Sequence, residues 1–259
     1  MKLQREWRKV LFILPSVVGM FLFYLVPLLY CFFYSFSRRT GKFAFGGVVN
    51  YGSLIQSESF RMAFINTCSL LVLCLGVLLG ITLILVYFLD ASKRNFMCMV
   101  AFVLPMLLPP ALVTQFIADF DWNAKRVLIL IYVWKYLGFH VLLLKAMEVG
   151  MNPEWMDAAV LEHASKWQVF YKIRMPYLWP YLRFLIMFDT VCFFRLFRES
   201  YLIYGRYPEN EAYTIINFFF NNFQNMNYQR LSAAAILTLI PLLLLNLLLC
   251  KVGGNHEMV

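Results

Sequence analysis

Six long apolar stretches constrain this sequence more than any other feature. A helix needs about 20 apolar residues to cross the roughly 30 Å hydrocarbon layer of a bilayer. The stretches that meet this length are residues 10–36, 62–89, 96–118, 127–147, 177–203 and 231–250. They predict an all-α polytopic membrane protein, in which residues 1–259 form a single transmembrane domain with six transmembrane helices.

The composition excludes the main soluble classes. Of the 259 residues, 62% are hydrophobic and 14% are charged, whereas an average soluble domain is roughly 45–50% apolar and about 25% charged. A single soluble core could not bury so many apolar side chains, and a disordered chain, a coiled coil or a small disulfide scaffold would differ in composition. The six cysteines lie in apolar stretches without a Cys-x-x-Cys pair, so we expect neither a disulfide framework nor a metal site.

The basic residues predict an orientation. The formal net charge is +9, but the lysines and arginines are scattered between the apolar stretches, which favours contact with anionic lipid over nucleic-acid binding. Lys2, Arg5, Arg8 and Lys9 directly precede the first stretch. Because charges near the first span usually dominate orientation, we expect a cytoplasmic N-terminus. An even number of spans puts the C-terminus on the same side.

The polar loop between the fourth and fifth stretches carries clear helix signals. Asn152 followed by Pro153 is typical of a helix start, since Asn is a preferred N-cap and Pro suits the first helical position. Ser165 with Gln168 three residues later predicts a capping box and a second helix. We expect this second helix to end before Pro176, because the residue preceding a proline avoids the helical region.

The first helix of this loop, residues 148–176, suggests docking onto another protein. The usual explanation for such a loop is an amphipathic element that lies on the lipid surface. The first helix is only weakly amphipathic, however, and it carries the small residues Ala158 and Ala159. Because small residues on a helix surface permit a close approach, we expect Ala159 to lie on a docking face.

The same loop resembles the EAA loop in the permease subunits of binding-protein-dependent ABC importers. In that family Glu-Ala-Ala is followed after three residues by Gly, and after nine more by Ile-x-Leu-Pro. This sequence has Asp157-Ala158-Ala159, His163 and Ile173-Arg174-Met175-Pro176 at the same spacing. Other segments resemble the carbohydrate branch of the family, the relatives of the maltose and glycerol-phosphate permeases. These segments are Leu14-Pro15, Asn66-Thr67, Leu104-Pro105, Trp134-Lys135 and Gly138-Phe139.

The resemblance implies a type I ABC importer permease fold, in which the loop contains a coupling helix that docks on an ATPase. The implied ATPase-coupling residues are Glu154, Asp157, Ala158, Ala159, His163, Ala164, Ile173 and Pro176. The implied partners are a second permease subunit in a heterodimer, two cytoplasmic ABC ATPase subunits, an extracellular solute-binding protein and the lipid bilayer.

The resemblance also implies a function and a location. The chain would carry a sugar or sugar-like solute across a bacterial inner membrane, with both termini in the cytoplasm. It would hold no cofactor and would not be an enzyme, because it lacks the Gly-x-x-x-x-Gly-Lys-Ser/Thr phosphate loop. ATP hydrolysis is therefore expected in a partner chain.

Four departures from the family pattern are present. Asp157 replaces Glu, and His163 replaces a Gly at which we expect the helix to end in a left-handed residue, at a cost of roughly 1 kcal/mol relative to Gly. The link from Asp119 to Arg126 is shorter than the family's. Arg206-Tyr207-Pro208 stands where the family has Gly-Gly-Pro. The last two changes concern the outer surface.

Polar residues within the apolar stretches are candidates for a solute path. Ionisable groups at membrane depth are costly, so they mark pathways or structural pairs. Lys135 and Asp189 are the clearest, and we hypothesise that they pair; solute contact is the alternative. The wider set of translocation-path candidates is Lys135, His140, Phe188, Asp189 and Asn217. We expect Arg195 and Arg198 near the outer interface, where long side chains reach headgroups.

Other functions stay open on the residues alone. An ATPase-independent secondary transporter or channel would explain the spans but not the spaced motif from Asp157 to Pro176. A membrane-embedded enzyme would need a catalytic motif, and the sequence has neither His-Glu-x-x-His nor Gly-x-Ser-x-Gly. In a purely structural anchor, the energetic cost of Lys135 and Asp189 at membrane depth would serve no function.

Overall fold

The computed structural model describes residues 13–38, 44–89, 100–117 and 122–251. In chain order the helices are α1 (Ile13–Ser35), α2 (Val49–Gln56), α3 (Glu58–Phe88), α4 (Leu104–Leu107), α5 (Pro110–Ile117), α6 (Ala124–Glu148), α7 (Pro153–Leu161), α8 (Lys166–Val169), α9 (Met175–Cys192), α10 (Phe197–Tyr204), α11 (Ile215–Gln224) and α12 (Tyr228–Lys251). Outside these helices the described residues form loops, single turns and one isolated bridge. The predicted all-α fold is confirmed.

Some predictions concern residues that lie outside the described ranges. They are the basic residues Lys2, Arg5, Arg8 and Lys9 before the first stretch, and Asp119 in the shortened link. The orientation that these basic residues predict stays a prediction.

Four helices within the described ranges, α1, α3, α6 and α12, are long and apolar enough to cross a membrane. The third and fifth predicted stretches are divided into shorter helices. In the third, Leu108 is extended before Pro109, because a proline disfavours the helical conformation of the residue that precedes it. In the fifth, the 3₁₀ turn Phe193–Leu196 separates α9 from α10. The count of six spans stays a prediction.

The chain divides into two compact units, of which the first combines the residues up to Arg61 with Phe218–Pro241. In this unit the Asn50 side chain donates hydrogen bonds to the carbonyls of Ser35 at 2.8 Å and Ser37 at 2.9 Å. Carbonyls at a helix end lack a partner within the helix. Asn50 therefore provides a hydrogen-bond donor for the free carbonyls at the end of α1, and it holds α2 beside that end.

The second unit comprises Met62–Asn217 and Leu242–Val259, and α6 lies at its core. Leu128, Ile131 and Tyr132 of α6 are fully buried, and they belong to a core that also contains residues of α3, α5 and the 3₁₀ turn. A helix that is buried on several sides is apolar nearly all round, which explains the long apolar stretch in this part of the sequence.

Gly138 allows α6 to approach the backbone just before α4. A Cβ atom at position 138 would overlap the main-chain carbonyl of Phe102. A main-chain group cannot turn aside as a flexible side chain can, so a larger residue at position 138 would push the two segments apart.

We predict that Gly138→Ala lowers the free energy of unfolding by about 1–3 kcal/mol, the usual cost of overpacking. The measurement is thermal unfolding of the purified protein in detergent. Gly80→Ala in α3 is the matched control, because an added Cβ there meets no atom within 4 Å. Equal unfolding temperatures for the two variants would contradict the close approach.

Candidate functional site

Helix α7, in the loop that resembles the EAA loop, is capped at its first turn as the sequence predicts. The Asn152 side chain accepts a hydrogen bond from the Glu154 amide at 3.1 Å, and Pro153 occupies the first helical position. The cap satisfies one of the free amides at the helix start. The predicted start of the helix is confirmed.

The end of α7 is closed by His163 in a left-handed conformation. His163 has φ +52°, and its amide donates to the Val160 carbonyl at 3.1 Å. The Ala164 amide donates to the Ala159 carbonyl at 2.9 Å. These two bonds form a Schellman motif, the usual closure for a helix whose next residue is left-handed. The predicted left-handed conformation is confirmed, and histidine adopts it at a cost of roughly 1 kcal/mol relative to glycine.

The second helix of the loop begins at the predicted capping box but continues further than predicted. The Ser165 hydroxyl accepts from the Gln168 amide at 3.3 Å, and the Gln168 side chain accepts from the Ser165 amide at 2.8 Å. Helix α8 then leads through a π-helical turn, Phe170–Arg174, directly into α9. The prediction that the helix ends before Pro176 is wrong. A π-turn widens the helix just ahead of the proline, where the proline removes one amide donor.

The docking face on α7 stays a prediction. Ala159 is only 7% exposed. Its small side chain lines a groove of about 1040 Å³ together with residues of α8 and α9. The large apolar side chains Val160 and Leu161, by contrast, are 73% and 81% exposed. These two residues are the most exposed large apolar side chains of α7.

The groove gathers part of the predicted coupling set. Its lining includes Ala158, Ala159, Ala164, Ile173 and Pro176. The other predicted coupling residues, Glu154, Asp157 and His163, are exposed and do not line it. The structure therefore divides the set into an apolar group that lines the groove and a polar group that does not.

A fully buried hydrogen-bonded cluster joins α6 to α9. His140 Nε2 lies 2.9 Å from Asp189 Oδ2, and both side chains have no solvent exposure. The Tyr132 hydroxyl donates to Asp189 Oδ1 at 3.1 Å. Two of the predicted path residues, His140 and Asp189, thus meet each other, and sequence reasoning missed Tyr132 as their partner.

The second ring nitrogen of His140 determines what this cluster can hold. His140 Nδ1 lies 2.9 Å from the main-chain oxygen of Tyr136. A carbonyl oxygen only accepts, so Nδ1 must carry a proton. One further proton lies between Nε2 and Asp189, giving either imidazolium with carboxylate or imidazole with carboxylic acid. The pair is neutral overall in both forms, which suits a site without water.

Lys135 pairs with Glu199, so the hypothesis that it pairs with Asp189 is wrong. Lys135 Nζ lies 2.5 Å from Glu199 Oε1, and the two side chains are 12% and 3% exposed. Asp189 instead contacts His140 and Tyr132, which belong to α6 as Lys135 does. Sequence reasoning missed Glu199, which stands between basic residues at the end of the fifth stretch.

These contacts also fix the register of the fifth stretch along α6. His140 lies about 12 Å before the end of α6, whereas Asp189 lies about 18 Å beyond Tyr177, at 1.5 Å per residue. The fifth stretch therefore begins about 6 Å beyond the end of α6. Glu199 meets Lys135, which lies near the middle of α6. The expectation that Arg195 and Arg198 lie near the outer interface stays a prediction.

The remaining two path candidates have local packing roles. Phe188 packs against Phe139, with ring centroids 5.1 Å apart. Asn217 is buried, and its side-chain oxygen accepts from the Thr214 amide at 3.1 Å and from the Thr214 hydroxyl at 2.7 Å, just before α11. Within the described ranges, no three His, Cys, Asp or Glu side chains come together as a metal site.

Solved structures share this fold over nearly the whole chain. No family model matches the sequence. A bacterial ABC transporter involved in the import of the acidic polysaccharide alginate superposes with a TM-score of 0.83 at 17% sequence identity. The match covers 99% of this chain and 98% of the solved chain. This comparison shows the fold.

Curated relatives of similar sequence are transport system permeases. The arabinooligosaccharides transport system permease protein AraP of Bacillus subtilis is 24% identical over 286 aligned positions, which cover 95% of this chain and 88% of the relative. The trehalose/maltose transport system permease protein MalF of Thermococcus litoralis is 31% identical over 121 residues, 47% of this chain and 41% of the relative. The chain is similar in sequence to ABC importer permeases and shares their fold. The resemblance stated from the sequence is confirmed.

We predict that Lys135→Glu destabilises the permease by about 3–5 kcal/mol, because it sets two carboxylates against each other in a nearly buried site. Adding Glu199→Lys should restore most of the lost stability, whereas adding Asp189→Lys should not. Thermal unfolding of the purified permease in detergent measures both effects. Restoration by Asp189→Lys alone would contradict the observed pairing.

Proposed function

We propose that this permease forms part of the path by which a sugar or sugar-like solute enters a bacterial cell. The names of its curated relatives refer to arabinooligosaccharides and to trehalose and maltose, which supports a saccharide as the solute. A solved structure of the same fold is in complex with a periplasmic protein that carries an alginate pentasaccharide. It supports an external solute-binding protein as a partner.

The observation that carries the proposal is the exposed apolar end of α7. Val160 and Leu161 stand 73% and 81% exposed on a helix that is capped at both ends. Burying two such side chains in a partner's groove contributes about 1.5–3 kcal/mol each. The caps hold the helix in shape, so little conformational entropy opposes docking. We assign this helix as the coupling helix.

The charges around α7 favour a protein partner with basic groups. Glu154, Asp157 and Glu162 are all exposed on or beside this short helix. Acidic groups repel the anionic headgroups of a membrane surface. A cytoplasmic ABC ATPase subunit, with basic groups around an apolar groove, would meet both the acids and the apolar pair. Two such subunits, one for each permease of a heterodimer, complete the proposed importer.

The loop connects this docking helix to the buried cluster in the membrane. From Lys166 to Cys192 the chain is helical without a break, about 40 Å at 1.5 Å per residue. Its far end carries Asp189, which is bonded to His140 of α6. A force on α7 would thus reach α6 and α9 together. Lys135, His140, Phe188, Asp189 and Asn217 remain the proposed path region, with His140 and Asp189 as positioning residues.

The orientation follows from the same proposal. Docking on a cytoplasmic ATPase requires the 148–176 loop to lie in the cytoplasm. With six spans, both termini then lie on the cytoplasmic side of the inner membrane. The basic residues at the N-terminus favour the same side.

We predict that Leu161→Arg reduces ATP-dependent solute uptake at least tenfold while the permease still inserts, since the change places charge on the apolar docking face. The readouts are uptake in the native host and permease level in isolated membranes. Val149→Arg is the matched control, because Val149 is 70% exposed but precedes α7. Wild-type uptake with Leu161→Arg, or uptake that survives loss of the ATPase, would favour a secondary transporter or channel instead.

A further inference from the structure

The chain that follows α7 reverses the charge of the loop. Residues 152–162 contain three acidic side chains and neither lysine nor arginine. Residues 163–188, by contrast, contain no acidic side chain and four basic ones, which are Lys166, Lys172, Arg174 and Arg183. Arg183 is buried. The other three belong to residues 166–174, which we call the basic segment.

The charges of the basic segment are unmatched. Lys166 and Lys172 are exposed and Arg174 is half-buried. Within the described ranges, none of these three side chains has an ion-pair or hydrogen-bond partner. Glu162 lines the groove beside α7 together with Lys172, but no ion pair joins the two. The basic segment therefore offers three positive charges to a partner outside the described chain.

Two exposed aromatic rings lie among these cations. Trp167 and Tyr171 are 62% and 64% exposed, and their rings stack with centroids 6.4 Å apart. The Trp167 ring also meets the ring of Phe170 at 6.1 Å and that of Tyr87 in α3 at 6.0 Å. Phe170 is buried in a core that α3, α6 and α9 share. The exposed rings are therefore attached to the core of the second unit.

This combination of side chains is typical of contact with lipid headgroups. Tryptophan and tyrosine rings favour the boundary between water and hydrocarbon, because each ring has an apolar body and a polar edge. Each lysine or arginine near an anionic membrane surface strengthens binding by roughly fivefold. An ATPase suits this surface less well. In the proposed function it brings basic groups to α7, and these would repel the basic segment.

We propose that the basic segment binds the headgroups of acidic phospholipids, with Lys166, Lys172 and Arg174 as the phosphate contacts. Trp167 and Tyr171 insert their rings between the headgroups. The loop then meets two partners through two surfaces of opposite charge, since α7 docks on the ATPase and the basic segment binds the membrane. The basic segment continues without a break into α9, so lipid binding sets the position of the start of α9 relative to the bilayer.

Lipid binding by the full-length permease tests this proposal. Native mass spectrometry of the detergent-purified chain, titrated with dioleoylphosphatidylglycerol or dioleoylphosphatidylcholine, gives an apparent Kd for the first bound lipid. We expect the wild type to bind phosphatidylglycerol at least tenfold more tightly. Lys166→Gln/Lys172→Gln should weaken phosphatidylglycerol binding at least tenfold and leave phosphatidylcholine binding unchanged, whereas the double Arg variant should bind as the wild type does.

A second pair of exposed cations provides the matched control. Arg61→Gln/Arg126→Gln removes the same charge from the first turns of α3 and α6, outside the loop, and should leave phosphatidylglycerol binding unchanged. Three results would overturn the inference: equal affinity of the wild type for the two lipids, unchanged phosphatidylglycerol binding by the double Gln variant of the basic segment, or an equal loss in the control.

A photoreactive amino acid at Tyr171, incorporated in native host cells, separates the lipid from a protein partner. We expect adducts with acidic phospholipid. Adducts with an ABC ATPase alone would overturn the inference and support the proposed function. If uptake survives loss of the ATPase while Lys166→Gln/Lys172→Gln still loses phosphatidylglycerol binding, the inference stands and only the proposed function fails.

Discussion

Charge inside the bilayer is the constraint from which the rest of this structure follows. An ionised group at that depth is costly unless it is paired, and the second unit solves the problem with two contacts between α6 and the fifth stretch. Asp189 meets His140 and Tyr132, and Glu199 meets Lys135. Both contacts are made only when α6 and the fifth stretch pack in one register. That register determines where the later residues of the fifth stretch lie along α6.

The register between α6 and α9 also concerns the loop helix α7, because the chain that follows α7 continues into α9. Helix α7 is held at one end by Asn152 and at the other by the left-handed His163. The following helix is capped at Ser165 and continues without a break to the end of α9. On the proposed function, movement of α7 would be passed to α9 and, through the contact of Asp189 with His140, to α6. The arrangement suits a subunit whose solute path opens and closes in response to chemistry in another chain.

The sequence predicted the local features of the loop because they depend on neighbouring residues. The cap at Asn152, the capping box at Ser165 and the conformation of His163 each involve residues within a few positions of one another. The partner of Lys135 could not be predicted in this way, since Glu199 is far away in the chain and no spacing rule connects them. The burial of Ala159 depends on how α7 packs against the next helix. The π-turn before Pro176 left no signal in the pattern of apolar residues.

The account depends on contact between α7 and a nucleotide-hydrolysing subunit, and photo-cross-linking tests that contact most directly. A photoreactive amino acid at Leu161, incorporated in native host cells, should give a protein adduct that mass spectrometry identifies as an ABC ATPase. The same probe at Val149 should give that adduct much less efficiently. Adducts with phospholipid alone from position 161 would contradict the account, because α7 would then lie on the membrane surface instead of on an ATPase.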